Sequence, residues 1–463
     1  QHQPSLYRIA FCSSRAATTS PPDAGQRRSP SSPPSVNLSA KPGQLQRRLA
    51  PFTFGHCHSV VTQTLPLTAH SPTAREAVRG LRASKIREVA NAGMGRKDVL
   101  AFWFGEPDET TPAFIRQAGI DALNAGETFY THNLGIPELR QAIAAYVSRL
   151  HRPIGADCVA VTNSGMSALM LTTQALVGPR DRVVAVTPLW PNLVEIPKIL
   201  GADVTCVELA FGPAGWTLDL DRLLATLSPG TRAVYINSPN NPTGWTIDAD
   251  EQRAILAHCR RHGIWIVADD AYERLFYGGG PWNTAPSFLD LSLPDDRVVS
   301  TNTFSKSWLM TGWRLGWIVA PQELIPDLGK LIEYNTSCAP VFIQRAGVVA
   351  VNEGDAVIAH TADRLRRARD FLHARLLGIP GIEAAAAPGA MYAFFRVEGV
   401  DDSLAFCKRL VADAGLGLAP GIAFGPEGEG FVRWCFAGSE ARLADGVDRL
   451  QRYLNRREPA IAT

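Results

Sequence analysis

From about residue 122 onward, apolar positions fall into two kinds of pattern. The first is short and continuous: VVAVTP (183–188), VTCVEL (204–209), AVYINSP (233–239), WIVADDAY (265–272) and VVSTNTF (298–304). The second is longer and amphipathic or polar, as in DADEQRAILAHCRRHG (248–263). Strands of unbroken apolar character are buried on both faces, and when helices join them the sheet is mostly parallel with helices on either side. The expected class is therefore α/β, with a large domain over residues 116–344. Past about residue 344 the pattern changes to long helical stretches such as HTADRLRRARDFLHARLLG (360–378), with short strands in MYAFFRV (391–397) and GFVRWCFA (430–437). This predicts a smaller α+β domain over 345–463, joined by the segment 73–115 that precedes the large domain.

Residues 1–72 fit neither pattern. They are rich in Ser, Pro, Thr and Arg and contain one acidic residue, Asp23. Too little apolar surface is available there to offset the entropy of ordering, so disorder is expected. The composition is that of an organelle transit peptide, or of sequence read through from a mis-assigned start. The two readings predict an organelle matrix and the cytoplasm, respectively.

The whole chain of 463 residues is 46% hydrophobic and 19% charged, with a formal net charge of +2. That balance gives no electrostatic footprint for nucleic acid. No apolar run approaches the roughly 20 residues of a membrane span, so neither a nucleic-acid nor a membrane partner is expected. The eight cysteines are scattered singly, which reads as free thiols, and the histidines form no metal-ligating pattern.

Ligands in open parallel sheets bind beyond the carboxyl ends of the strands. Here the strand ends deliver Trp190 after VVAV, Asn241 in SPNNPTG, Asp269 and Tyr272 in DDAY, and Lys306 after VVSTNTFS. The segment VTNSGMSALMLTTQAL (161–176) adds small residues, Ser164, Gly165 and Ser167, at the start of an apolar helix, where free backbone N–H groups cradle phosphate. Arg314 supplies a guanidinium for the same anion. An indole, a carboxamide, a carboxylate with a phenol, and an amine imply a ligand that is aromatic, phosphorylated and reactive toward amines. Pyridoxal 5'-phosphate meets all three demands.

With GEPDETTP, YTHNLGIPELRQAIA, NSPNNPTG, DDAYE, SKSWLMTGWRLGW and FVRWCFA in this order between Phe102 and Ala437, the chain resembles the class I, aspartate-aminotransferase-like aminotransferases of fold type I. The resemblance implies an aminotransferase moving an amino group from an L-amino acid to a 2-oxo acid through pyridoxal and pyridoxamine phosphate. It makes Lys306 the amine that joins the cofactor aldehyde and then carries protons, with burial beside Arg314 depressing its pKa. Asp269 meets the pyridine nitrogen, while Asp270 is free to cap the next helix. Tyr272 and Asn241 bond the phenolic oxygen, although Asn241 is equally a turn residue before Pro242. Trp190 stacks on the ring or serves as core. The Gly165 and Met166 amides, Thr303, Ser305 and Arg314 surround the phosphate, with Thr303 where the family often has serine. Arg433 grips the substrate α-carboxylate in a bidentate fork, and Gly105 lets backbone approach the substrate. Tyr130 resembles the tyrosine that reaches the neighbouring subunit's phosphate, which implies a homodimer with shared sites; an ordinary strand-edge tyrosine is the alternative. A β-lyase on the same scaffold, or a ligand-sensing regulator, are the rival functions. No second cation for a dicarboxylate substrate is recognisable by motif.

Overall fold

The computed structural model describes residues 73–279, 282 and 284–456; the N-terminal extension lies outside them. Seven strands form the central sheet: β1 (Val159–Thr162), β2 (Arg182–Thr187), β3 (Asp203–Glu208), β4 (Thr231–Asn237), β5 (Trp265–Asp269), β6 (Val298–Thr303) and β7 (Gly316–Val319). Their spatial order is β1-β7-β6-β5-β4-β2-β3. All neighbouring pairs are parallel except those made by β7, which runs antiparallel to both β1 and β6. The five apolar runs of the sequence are β2 to β6. Neither β1 nor β7 carries a comparable signal, because VAVT and GWIV are only four residues long and merge into motif loops.

Alternation along the strands explains the two layers. Val183 and Ala185 of β2 join a core with Ala168, Leu169 and Leu171, whereas Val184 and Val186 join one with Ile255 and Leu256. Successive side chains point to opposite faces, so a strand apolar at every position must be covered twice. The helix Ala249–His262 forms one cover. Its Asp248 and Glu251 make a reciprocal capping box, and Gly263 ends it in the left-handed region at φ 67°.

A second sheet, β8 (Ile382–Glu383), β9 (Tyr392–Val397), β10 (Ala419–Pro420) and β11 (Phe431–Cys435), is antiparallel in the order β8-β9-β11-β10. Its core includes Phe394, Phe406, Trp434 and Leu450 together with Ile86, Val89 and Trp103 from the segment before the large sheet. Residue 344, where the sequence pattern changes, falls inside the helix Val341–Glu353. Ala346 and Ala350 of that helix pack with Leu139, Ile143 and Trp317, so the whole helix goes with the large sheet. The next helix, Asp355–Leu377, follows at once, so the change to long helical stretches does not by itself mark where the large core ends.

Candidate active site

At the carboxyl edge of the parallel strands lies a cavity of about 400 Å³. Every cofactor- or substrate-contacting residue that the resemblance implies lines it, except Tyr130. Tyr130 is 89% exposed on the loop before the helix Pro137–Leu150, beside the comparably exposed Phe129.

Lys306 sits in the single helical turn Phe304–Ser307 that comes directly after β6. Its ammonium points into the cavity, half-buried, and donates to the Gly105 carbonyl oxygen at 2.6 Å. Its pKa is lowered to about 8, chiefly by desolvation, with Arg433 and then Arg314 acting in the same direction and Cys435 and Glu106 opposing. The arginine that contributes more is therefore Arg433, from the second sheet, and not the sequence neighbour Arg314. Asp269 ends β5 and is 5% exposed. It accepts one long bond, 3.3 Å, from the Ala271 amide, and burial raises its pKa to about 7 against the opposing charge of Lys306. A buried carboxylate so poorly served costs several kcal/mol unless a cation or proton meets it.

The loop after β4 is pinned by a side chain that no motif singles out. Asn237 donates from Nδ2 to the Asp269 carbonyl oxygen at 3.0 Å and accepts the Asn241 amide at 2.7 Å. This holds Asn241 so that its Oδ1 receives Arg433 Nη1 at 2.9 Å, leaving the Asn241 NH₂ group toward the cavity it lines. Arg433 is 2% exposed; its Nη2 donates to the Trp103 carbonyl oxygen, while Nε is buried with no partner among the described residues.

Sequence reasoning also misses Tyr392. Its hydroxyl is 2.7 Å from that of Tyr272, and the Arg433 guanidinium lies 4.4 Å from its ring centre. A Cβ on Gly105 would come within 1.8 Å of the Tyr392 hydroxyl oxygen, so only glycine permits this approach. The pattern MYAFFRV carries a strand signal but no motif, and only the pairing of β9 with β11 sets Tyr392 beneath Arg433.

The remaining groups form a cradle of hydrogen-bond donors. Ser164 caps the helix Gly165–Leu176 by accepting the Ser167 amide at 3.1 Å, which leaves the first-turn amides of Gly165 and Met166 without intrahelical acceptors. Thr303 accepts the Ser305 amide at 3.1 Å and donates to the Ser305 hydroxyl at 2.9 Å. Arg314 takes a left-handed φ of 56°, with Nη1 on the Thr311 carbonyl oxygen at 2.7 Å. At Gly316 a Cβ would meet the Gly165 nitrogen at 2.6 Å, so β7 can lie against the cradle only as glycine. Trp190 lines the cavity three residues past β2, and the adjoining Leu189 amide donates to the Phe424 carbonyl oxygen at 2.9 Å.

One further cation lines the cavity. Arg87, on the helix Lys85–Gly93, has its guanidinium 4.6 Å from the Phe104 ring centre and forms no ion pair with a described residue.

The family model for aminotransferase class I and II matches residues 97–450. An aspartate aminotransferase of Thermotoga maritima is 33% identical over 362 residues, 78% of this chain and 93% of that protein. A probable N-acetyl-LL-diaminopimelate aminotransferase of Bacillus subtilis is 30% identical over 399 residues, covering 85% and 98%. The crystal structure of a Thermotoga maritima aspartate aminotransferase superposes with a TM-score of 0.77 at 32% identity, covering 82% of this chain and all of that one.

Proposed function

Because the chain belongs to the aminotransferase class I and II family and is an aminotransferase, we propose that its cavity holds pyridoxal 5'-phosphate and that acidic amino acids are its donors. The observation that carries the cofactor reading is the pairing in one cavity of a lysine with a depressed pKa and a buried carboxylate left almost without partners. The donor set fits such a group. Asp269 is positioned to meet a protonated ring nitrogen, the Gly165 and Met166 amides with Thr303, Ser305 and Arg314 to hold a phosphate, and Trp190 to flank a ring. When bound, the cofactor supplies an electron sink that lets a proton leave the substrate Cα.

The chain's own residues do the rest. Lys306, with a pKa of about 8, has an appreciable neutral fraction near neutral pH and can accept the Cα proton and return one. Tyr272, whose proton burial holds far above the ordinary phenol range, stays a donor throughout. Arg433 offers its unused Nε edge to the α-carboxylate, and Tyr392 beneath it fixes the plane of the fork. Amino group donation by one amino acid releases its 2-oxo acid; a second 2-oxo acid, 2-oxoglutarate by family resemblance, then takes the amino group.

Arg87 is read as the cation for the second carboxylate of the donor. Its guanidinium is held against Phe104 and meets no carboxylate among the described residues. Purified protein given pyridoxal phosphate, aspartate and 2-oxoglutarate should form glutamate and oxaloacetate without ammonia. Arg87→Leu should raise KM for aspartate at least about tenfold while leaving the alanine half-reaction, which involves no second carboxylate, within about twofold. Release of ammonia and pyruvate from a donor with a leaving group on Cβ, without amino transfer, would replace this reading by a β-lyase.

A homodimer completes the proposal. Phe129 and Tyr130 are exposed together, with Ile120 and Leu123 exposed on the neighbouring helix Ala113–Asn124, an apolar surface suited to a second copy that receives Tyr130 at its phosphate. Residues 116–344 with the helix Val341–Glu353 are read as the cofactor-holding domain. The segment 73–115 and the C-terminal part, which share one core, are read as the second domain. No described helix is long and apolar enough to cross a membrane.

A further inference from the structure

Behind Asp269 and Tyr272 lies a second group of ionisable side chains that does not line the cavity. His151 comes directly after the helix Pro137–Leu150, and its ring is 1% exposed. Nδ1 is 2.8 Å from Asp290 Oδ1, and Nε2 is 3.2 Å from Glu273 Oε2. Two carboxylates on the two ring nitrogens require both nitrogens to donate, which only the imidazolium can do. The Glu273 and Asp270 carboxylates reach the strand that leads to Lys306. Asn302 Nδ2 donates to Glu273 Oε1 at 2.8 Å, and Ser300 Oγ donates to Asp270 Oδ2 at 2.6 Å. His151 is thus linked, through one carboxylate, to the loop carrying Asp269 and Tyr272 and to the strand carrying Thr303.

We infer that His151 is a positioning residue for the candidate active site: as a buried cation between Glu273 and Asp290 it fixes the 269–273 loop against β6 and offsets the carboxylates packed behind Asp269. Two observations independent of each other support this. The first is geometric: removing His151 leaves Glu273 and Asp290 facing an empty space, with Glu273 held by Asn302 alone. The second is the charge pattern of the surrounding elements. Asp270, Glu273 and Asp290 come from the loop after β5 and the turn Phe288–Asp290. Against these stand Arg274, which donates to the Tyr146 hydroxyl at 2.9 Å, and Arg149, already paired with Asp355 at 2.8 Å. His151 is the one cation among the described groups that bonds two of the three carboxylates directly, and its pKa is pushed up to about 10 by them despite the opposing effect of burial.

The inference rests on the reading of Asp269 and Lys306 as cofactor-contacting residues, and its test separates the two. The pH midpoint of the near-visible absorbance of the holoenzyme reports the electrostatic field at the cofactor. In His151→Gln the loss of a positive charge should move that midpoint up by about half a unit or more, and in Glu273→Gln the loss of a negative charge should move it down by a similar amount. The turnover number of His151→Gln should fall about tenfold with KM within about twofold. A purely structural histidine would lower the melting temperature and leave both midpoints within about 0.1 unit, and that result overturns the inference. Midpoints that move in the same direction overturn it too. Should His151→Gln fail to fold, Glu273→Gln decides alone: a downward shift supports the inference and no shift overturns it. Asp269→Asn serves as control. A shift there without shifts at 151 and 273 discards only the present inference, whereas no shift at 269 discards the site reading and this inference with it.

Discussion

Two sets of buried charges stand back to back across the five residues 269–273. On the cavity side, Asp269 receives one 3.3 Å bond and Arg433 Nε has no acceptor among the described residues. On the other side, Asp270, Glu273 and His151 are each met by named partners at 2.6 to 3.2 Å. Both sets are comparably deep, so burial does not distinguish them. Unmet valence does. A satisfied buried network stabilises one arrangement of loop and strand, whereas an unsatisfied one has its partner still to come. By that criterion the first set is the one proposed to bind a ligand and the second the one proposed to support it.

The largest test of the contrast is Lys306→Ala. It should reduce turnover by on the order of 10³-fold or more, with the fold retained by circular dichroism. Comparable turnover in this variant would end the cavity-side reading. Next comes the adjacent pair. Asp269→Asn should lower turnover by roughly 10²-fold or more without loss of melting temperature, since it removes a poorly partnered buried carboxylate. Asp270→Asn should do the reverse, costing about 1–3 kcal/mol of stability through the Ser300 bond and less than about tenfold in turnover. If the two variants behave alike, the division across the loop is wrong. Arg433→Lys should raise KM by roughly 10- to 100-fold with turnover little changed, because an ammonium cannot present a planar fork. A steady-state comparison with the unmodified enzyme reads this directly.

The smallest effect is on stability against pH. The folded-state pKa of His151 lies above its ordinary value near 6.5, so its contribution is fully present below about pH 6.5 and is lost as pH rises through about 10. Melting temperatures should therefore decline between these limits, and the decline should flatten in His151→Gln. An identical decline in the variant would show that other groups cause it.

Much of this molecule is legible without coordinates. Five of the seven strands of the main sheet are predicted by runs such as VVAVTP and WIVADDAY, because a strand buried on both faces must be apolar at every position. The helix from Ala249 is marked by its capping box and terminal glycine. Trp190, Asn241, Asp269 and Lys306 line one cavity because strand carboxyl ends share an edge whatever their order in the chain. The end of the large core is of a different kind: Ala346 and Ala350 belong to it by contact, and their sequence texture does not say so.

The sequence by itself determined the chemistry available: an amine, two adjacent carboxylates, two guanidinium groups and a small-residue helix start, each carried by local pattern and chain order. Only the tertiary structure decided which charges are answered and which are not. Asp269 and Asp270 are neighbours in sequence with the same side chain, yet one faces the cavity and the other Ser300. Likewise Tyr392 and Arg87 acquired significance only when distant segments closed around Arg433 and Phe104. The physical reason is that periodicity records which way a residue faces relative to its own strand or helix. Satisfaction of a buried polar group depends on partners contributed by other parts of the chain, such as Asn302 for Glu273 and Ser300 for Asp270.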